Sequence, residues 1–272
     1  MIGPDAARYL AAADGLGVPK PFHLRWLLPA LCGRSEDVWW RVWLGSWVVL
    51  GLGTFGWRLV AGDGWRVSLA VSVVLLALPG VLGPAVVIPV GVDLPASALT
   101  MCGVLAMSTG HPVGVFGGVL VVAVAATVKE SAPVFAALWA WSLWPLLALL
   151  VVAVRWVLVK PGPDPLGARF QEIADHPVRS AFAAHRGRWR DGWLMVAPWG
   201  LCVLSLRSPS VQVVVSLVVA YGLLLVATDT VRLLHHAAGP VLAVAAVHQV
   251  PVQWLWVACA AHAFWWRIPE RV

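Results

Sequence analysis

Long apolar runs separated by short polar breaks dominate the chain. The runs cover residues 38–60, 67–90, 94–108, 113–128, 132–154, 193–206, 211–228 and 237–266. A membrane-spanning helix needs about 20 mostly apolar residues, so the pattern predicts an all-α, polytopic integral membrane protein with about eight transmembrane helices. The last run contains Pro251 and is expected to form one bent helix. No internal repeat or linker is visible, which predicts a single transmembrane domain over residues 1–272.

Composition supports the membrane class. Hydrophobic residues make up 60% of the chain and charged residues only 12%, whereas a soluble domain is about a quarter charged. The net charge of +6 does not indicate nucleic-acid binding, because the basic residues lie in the breaks between apolar runs, where membrane proteins keep them. The four cysteines contain no C-x-x-C pair, so they are expected to act as small hydrophobic residues.

The most basic break, residues 155–191, sets the expected orientation. It carries seven Lys or Arg residues against four acids, and the positive-inside rule therefore predicts a cytoplasmic loop. Three apolar residues within it repeat at helical spacing, which predicts an amphipathic helix on the membrane surface that ends near Pro177. These residues are Leu166, Phe170 and Ile173. Counting runs back from this loop puts residues 1–37 outside, as an interfacial segment with a helix.

Ionisable residues beside the apolar runs are the candidates for chemistry, because charges in or near a bilayer are costly. In this orientation the outer face carries Asp5, His23, Arg25, Asp93, Lys129 and Glu130. Their spacing matches no catalytic motif. Such a set either holds a lipid phosphate beside a general base or is ordinary polarity at helix ends, and spacing alone leaves both interpretations open.

Three motifs occur in a fixed order over most of the chain. The first comprises Asp5, Tyr9, a helix rich in small residues, Pro19, Pro21, Arg25, Leu27 and Pro29. The second comprises Asp93 at the start of a short run, then a Gly-rich run and the pair Lys129 and Glu130. The third is an Asp-x-x-Arg sequence at 229–232. Together they resemble the GT-C superfamily of membrane glycosyltransferases, in which the first motif forms an external loop.

The resemblance implies transfer of a sugar from a polyprenyl-phosphate donor to an acceptor hydroxyl on the outer face of the cell membrane. It implies that Asp5 acts as the general base or binds a metal, which makes a divalent cation a candidate cofactor. Arg25 and Lys129 would hold the leaving phosphate, and Asp93 would bind the acceptor or a metal. The remaining candidates for substrate binding are Tyr9, His23 and Glu130. The expected partners are a polyprenyl-phosphate-linked sugar and membrane lipid.

Two departures from the family pattern keep other functions open. The family has a transmembrane helix before the first loop, whereas four residues precede Asp5 here, so the chain is expected to be shortened or to have a misassigned start. The large late external domain of the family is also missing. One alternative is a transporter or lipid flippase, suggested by the Gly- and Pro-rich runs. The other is a non-catalytic subunit that binds a membrane protein partner.

Overall fold

The chain folds into helices. The computed structural model describes residues 4–19, 21–78, 81, 91–163, 176–186, 197–225 and 230–265, and these residues contain helices and no strand. The predicted all-α class is therefore confirmed. Within the described ranges, no helix combines the length and the apolar character that crossing a membrane requires.

Two compact units make up the chain. The first comprises Met1–Leu50 and Ile88–Pro177, and the second comprises Gly51–Val87 and Val178–Val272. The single-domain organisation stays a prediction. The first unit carries the candidate site, and its α-helices are Pro4–Ala13, Leu27–Cys32, the first part of Glu36–Val60, Asp93–Ser108, Pro112–Val128, Ala132–Ala140 and Leu149–Leu158. Its 3₁₀-helices are Phe22–Leu24 and Trp144–Ala148.

Tyr9 is a fully buried member of the hydrophobic core of the first unit. The Tyr9 ring packs edge-on against Phe22, with ring centres 5.3 Å apart, and lies 6.3 Å from the ring of Trp39. Val128 and Ala96 of the later helices belong to the same core. The N-terminal segment, with its expected helix at Pro4–Ala13, is therefore an integral part of the packed unit.

The helices Asp93–Ser108 and Pro112–Val128 form a tight antiparallel hairpin. Gly110 makes the turn with φ of 70°, a left-handed conformation that glycine adopts without strain. His111 then caps the second helix, because its side chain accepts a hydrogen bond from the backbone of Val113 at 3.3 Å. Both helices begin one residue before the predicted runs, since local cap and turn residues set their ends.

The predicted single helix over residues 132–154 is wrong. The helix Ala132–Ala140 ends at Trp141, which takes the left-handed conformation with φ of 50°. The 3₁₀-helix Trp144–Ala148 follows, with Pro145 in its first turn, where the missing N–H is tolerated. The chain then continues directly into Leu149–Leu158. Residues 155–158, the start of the predicted basic loop, therefore belong to this helix.

The second unit also differs from the expected pattern at its C-terminal end. Its helical segments are the rest of Glu36–Val60, Trp65–Leu76, Pro177–Arg186, the 3₁₀ segment Ala197–Arg207, Val211–Leu223, Thr230–Gln249 and Val252–Trp265. The expectation of one bent helix around Pro251 is wrong, because that residue has no N–H to continue the hydrogen-bond ladder and separates two helices.

The expected amphipathic helix around Leu166, Phe170 and Ile173 lies outside the described residues. Pro177, which was expected to end it, instead begins the helix Pro177–Arg186. This position suits proline, because the first N–H groups of a helix have no intrahelical acceptor and the fixed φ of proline is already helical.

Close backbone contact in the hairpin predicts that replacing two of its glycines with alanine has very different effects on stability. Gly103→Ala would place a methyl group 2.6 Å from Val122 Cγ2 and 2.9 Å from the carbonyl oxygen of Gly118. The carbonyl cannot move unless the helices separate, so we expect the free energy of unfolding to fall by about 1–3 kcal/mol. Gly117→Ala is the matched control, since nothing lies within 4 Å of its added methyl. Thermal unfolding followed by circular dichroism measures both, and equal midpoints would contradict this packing.

Candidate functional site

Arg25 is the centre of the candidate site. Its Nε and Nη2 atoms donate to the two carboxylate oxygens of Glu130 at 2.7 and 2.6 Å. Its Nη1 atom donates to the Tyr9 hydroxyl at 3.0 Å. The side chains of Arg25 and Glu130 are only 13% and 24% exposed. This two-pronged pairing, which suits a planar guanidinium, joins residues 105 positions apart in the chain.

The 3₁₀-helix Phe22–Leu24 directs Arg25 into the site. The carbonyls of Pro19 and Pro21 accept hydrogen bonds from the turn, and the N–H of Arg25 closes it by donating to Phe22 at 2.9 Å. Pro21 has a fixed φ that favours the entry into such a turn. The Arg25 guanidinium then lies 5.1 Å from the centre of the Phe22 ring, within the range of a cation–π contact.

Burial and neighbouring charges both shift the pKa values of Tyr9, Arg25 and Glu130, in part in opposite directions. Burial raises the pKa of the Tyr9 hydroxyl, and the negative charges of nearby Asp5 and Asp93 add to the rise that Arg25 partly offsets. Burial alone would raise the pKa of Glu130, but the charge and hydrogen bonds of Arg25 hold it below its usual value. Burial likewise acts to lower the pKa of Arg25, and the charge of Glu130 more than reverses this effect. At neutral pH the tyrosine is therefore protonated and the ion pair is charged.

A second ion pair joins the two ends of the helical hairpin. The Lys129 ammonium donates a hydrogen bond to the Asp93 carboxylate. Asp93 lies in the first turn of its helix, where the helix dipole favours a negative charge. Lys129 directly follows the returning helix Pro112–Val128. Because both side chains are largely buried, each charge depends on the other for compensation.

Asp5 lies on the N-terminal helix beside a cation that the sequence analysis missed. Its carboxylate is 3.4 Å from Nη1 of Arg8, one helical turn further on. Arg8 is buried, and its guanidinium lies 5.2 Å from the centre of the Phe22 ring. The Asp5 side chain is 26% exposed, so a substrate can reach it. The spacing of three residues on a helix was the signal for this pair.

His23 occupies a neighbouring position and is buried. Its carbonyl accepts a hydrogen bond from Nη2 of Arg155 at 3.1 Å, and its ring centre lies 5.7 Å from that of Trp156. The N–H of Gly162 donates to the carbonyl of Val18 at 2.9 Å. The beginning of segment 155–191 thus packs against the N-terminal segment, two regions that the charge pattern assigned to opposite faces of a membrane.

The structure pairs the predicted charged residues with opposite charges, and it adds Arg8 to the set. Arg8, Arg25 and Lys129 are each bound by an acid, and these acids are Asp5, Glu130 and Asp93. The six groups sum to a formal charge of zero. In the described part of the chain, no three His, Cys, Asp or Glu side chains come close enough to hold a metal ion. The described residues therefore offer no such ligand set for the divalent cation that the resemblance implies.

Comparison with known proteins adds no relative: no protein family model, curated protein or solved structure matches the chain. Function is therefore inferred from the geometry of this site. A reachable carboxylate can take a proton from a substrate, and a neutral tyrosine hydroxyl can donate a hydrogen bond. Buried cations that are already oriented can stabilise an anionic group.

The lowered pKa of Glu130 predicts a pH-dependent stability. Ionised Glu130 stabilises the fold above its ordinary pKa of 4.5, and this contribution is lost as the pH falls through the lower, folded value. We therefore expect the denaturation midpoint to fall on acidification across this range. Glu130→Gln should cost about 3 kcal/mol at neutral pH, because it leaves the Arg25 charge unpaired, and should flatten this part of the pH profile.

The control for this variant is Asp14→Asn. Asp14 pairs with Arg34, whose side chain is exposed, and such surface pairs contribute about 1 kcal/mol or less. Denaturant titrations of both variants between neutral and acidic pH provide the measurement. Wild-type stability of Glu130→Gln at neutral pH would show that the buried pair does not stabilise the fold.

Proposed function

We propose that the chain is a membrane glycosyltransferase that transfers a sugar from a polyprenyl-phosphate donor to an acceptor hydroxyl. One observation carries the proposal. Residues selected by the family resemblance come from distant parts of the sequence and meet around Tyr9, with Arg25 bound to Glu130 and Lys129 to Asp93. Independent helix-end charges have no reason to converge on one buried hydroxyl.

The exposed surface of the helices supports a membrane location. On Pro112–Val128, four large apolar side chains are exposed at spacings of three and four residues, which is one face of a helix. They are Val113, Phe116, Leu120 and Val124. Soluble monomers seldom expose contiguous apolar faces of this kind. In the proposed arrangement, lipid covers this face.

In the proposed reaction, Asp5 is the general base. Its carboxylate takes the proton of the acceptor hydroxyl, and the acceptor oxygen forms a bond to the anomeric carbon of the donor sugar. The bond from that carbon to the phosphate oxygen breaks, and polyprenyl phosphate leaves with the electron pair. Proton transfer to a positioned side chain contributes about 10²–10⁴-fold to such reactions.

Arg25 and Lys129 stabilise the leaving phosphate in this proposal. Without substrate, Glu130 and Asp93 keep the two cations charged and oriented. A phosphate that enters the site offers the same oxygen acceptors and competes for their N–H groups. Tyr9, whose pKa is raised mainly by burial, keeps its proton and can donate a hydrogen bond to a phosphate or sugar oxygen.

A second candidate function is a non-catalytic membrane subunit. The pairing of Arg8, Arg25 and Lys129 with acids favours it, because a purely structural cluster would have the same neutral charge balance. Such a subunit would co-purify with a stoichiometric partner and would show no transfer alone.

Replacement of the proposed base tests the transferase directly. Asp5→Asn should lower transfer by about 10²–10⁴-fold, because the amide cannot accept the proton. The measurement is polyprenyl phosphate released from polyprenyl-phosphate sugars by the purified protein. Asp14→Asn, on the same segment but in an exposed pair with Arg34, should keep full activity. Full activity of Asp5→Asn would rule out this base, and inactivity of the wild-type protein would favour the non-catalytic subunit.

The contacts of Arg155 and Gly162 with the N-terminal segment support a membrane arrangement in which both segments lie on one face. We expect Ser35→Cys and Lys160→Cys, each in a chain with its native cysteines replaced by serine, to react with a membrane-impermeant maleimide from the same side. Both positions are exposed. Cys32 is unsuitable, because it is buried and burial raises the pKa of its thiol. Labelling from opposite sides would contradict the arrangement.

A further inference from the structure

Arg155 differs from the three cations of the candidate site. It has no acidic partner among the described residues, and its guanidinium makes one hydrogen bond, from Nη2 to the His23 carbonyl at 3.1 Å. Its Nε atom is buried with no hydrogen-bond partner in this part of the chain. A buried donor without an acceptor costs free energy, so a ligand oxygen that reaches Nε would be bound favourably.

Aromatic side chains that reach the surface surround Arg155. The guanidinium carbon lies 5.2 Å from the centre of the Trp26 ring. Trp26 and Trp156 are 42% and 51% exposed, so their rings form the solvent-facing rim of this position. Burial lowers the pKa of Arg155, yet arginine remains charged at any physiological pH. The position therefore holds a positive charge that lacks a counter-charge among the described residues.

An apolar track begins beside this charge. On the helix Leu149–Leu158, Leu150, Val154 and Leu158 follow each other at intervals of four residues, and all three are exposed. Residues at this spacing lie along one side of a helix. A ligand that fits both features has an anionic head and a hydrocarbon chain.

We propose that Arg155 binds the phosphate monoester of a lipid. The phosphate oxygens accept hydrogen bonds from Nε and from the remaining N–H of Nη2. The indoles of Trp26 and Trp156 flank the headgroup, and the hydrocarbon chain follows Leu150, Val154 and Leu158. Guanidinium groups suit phosphate because two parallel N–H donors match two of its oxygens. Free inorganic phosphate shares the head chemistry but cannot use the apolar track. The site involves neither Asp5 nor a sugar and so stands apart from the proposed transfer.

The test measures binding of phosphatidic acid to the purified full chain by native mass spectrometry in detergent. Arg155→Gln should weaken binding by at least about tenfold, the effect of losing one charge-assisted hydrogen bond. Arg34→Gln is the matched control, since Arg34 is exposed and paired with Asp14, and should bind as the wild type does. Phosphatidylcholine should bind more weakly, and inorganic phosphate should not compete at equal concentration. Because the probe carries no sugar, failure of the transferase proposal leaves this result unaffected.

Thermal unfolding shows whether Arg155→Gln folds. If it does not fold, a second variant still tests the proposal. Leu158→Gln changes an exposed residue of the apolar track and should weaken binding of long-chain phosphatidic acid more than that of a short-chain form. Three results would each overturn the proposal: wild-type affinity in folded Arg155→Gln, an equal loss in Arg34→Gln, or inorganic phosphate that binds as tightly as the lipid. If only Leu158→Gln folds, equal effects on both chain lengths would overturn it.

Discussion

The first unit depends on compensating the charge of one largely buried arginine. A guanidinium cannot lose its proton in a protein, so Arg25 cannot become neutral when it leaves water. Glu130 supplies the opposite charge and Tyr9 an additional acceptor. Removal of one partner from such a pair costs far more than the pair contributes in total. The geometry of the N-terminal segment, including its 3₁₀-turn, follows from the need to bring Arg25 to these two partners.

The later helices are organised around the same position. The hairpin of Asp93–Ser108 and Pro112–Val128 is closed by the ion pair of Asp93 and Lys129. The following segment, residues 130–155, also begins and ends at the N-terminal segment. Glu130 is bound to Arg25 at its start, and Arg155 is bound to the His23 carbonyl at its end. The hairpin and this segment therefore each begin and end beside the N-terminal segment. This arrangement collects the ionisable groups at one end of the helices and leaves apolar side chains along their length.

Local signals made part of this fold predictable. The two hairpin helices were predicted to within one residue, because proline, histidine and glycine at their ends act through neighbouring backbone groups. The break at Trp141 could not be predicted, since tryptophan has no preference for the left-handed conformation that only tertiary packing imposes. At the site, the family resemblance selected Arg25, Lys129 and Glu130, but the sequence does not say which acid pairs with which cation. Arg155 was missed because its importance comes from contacts with distant residues. Arg8 had a local signal, its i,i+3 spacing from Asp5, but its burial against Phe22 depends on the fold.

The ion pair of Arg25 and Glu130 also fixes an order of events during synthesis. The arginine emerges from the ribosome first, and its carboxylate is 105 residues further along the chain. At elongation rates of about 5–20 residues per second this interval lasts roughly 5 to 20 s, long compared with helix formation. During that time the Arg25 guanidinium has no buried partner, so it stays in water or at a headgroup. The N-terminal segment can therefore complete its packing only after residue 130 has been made.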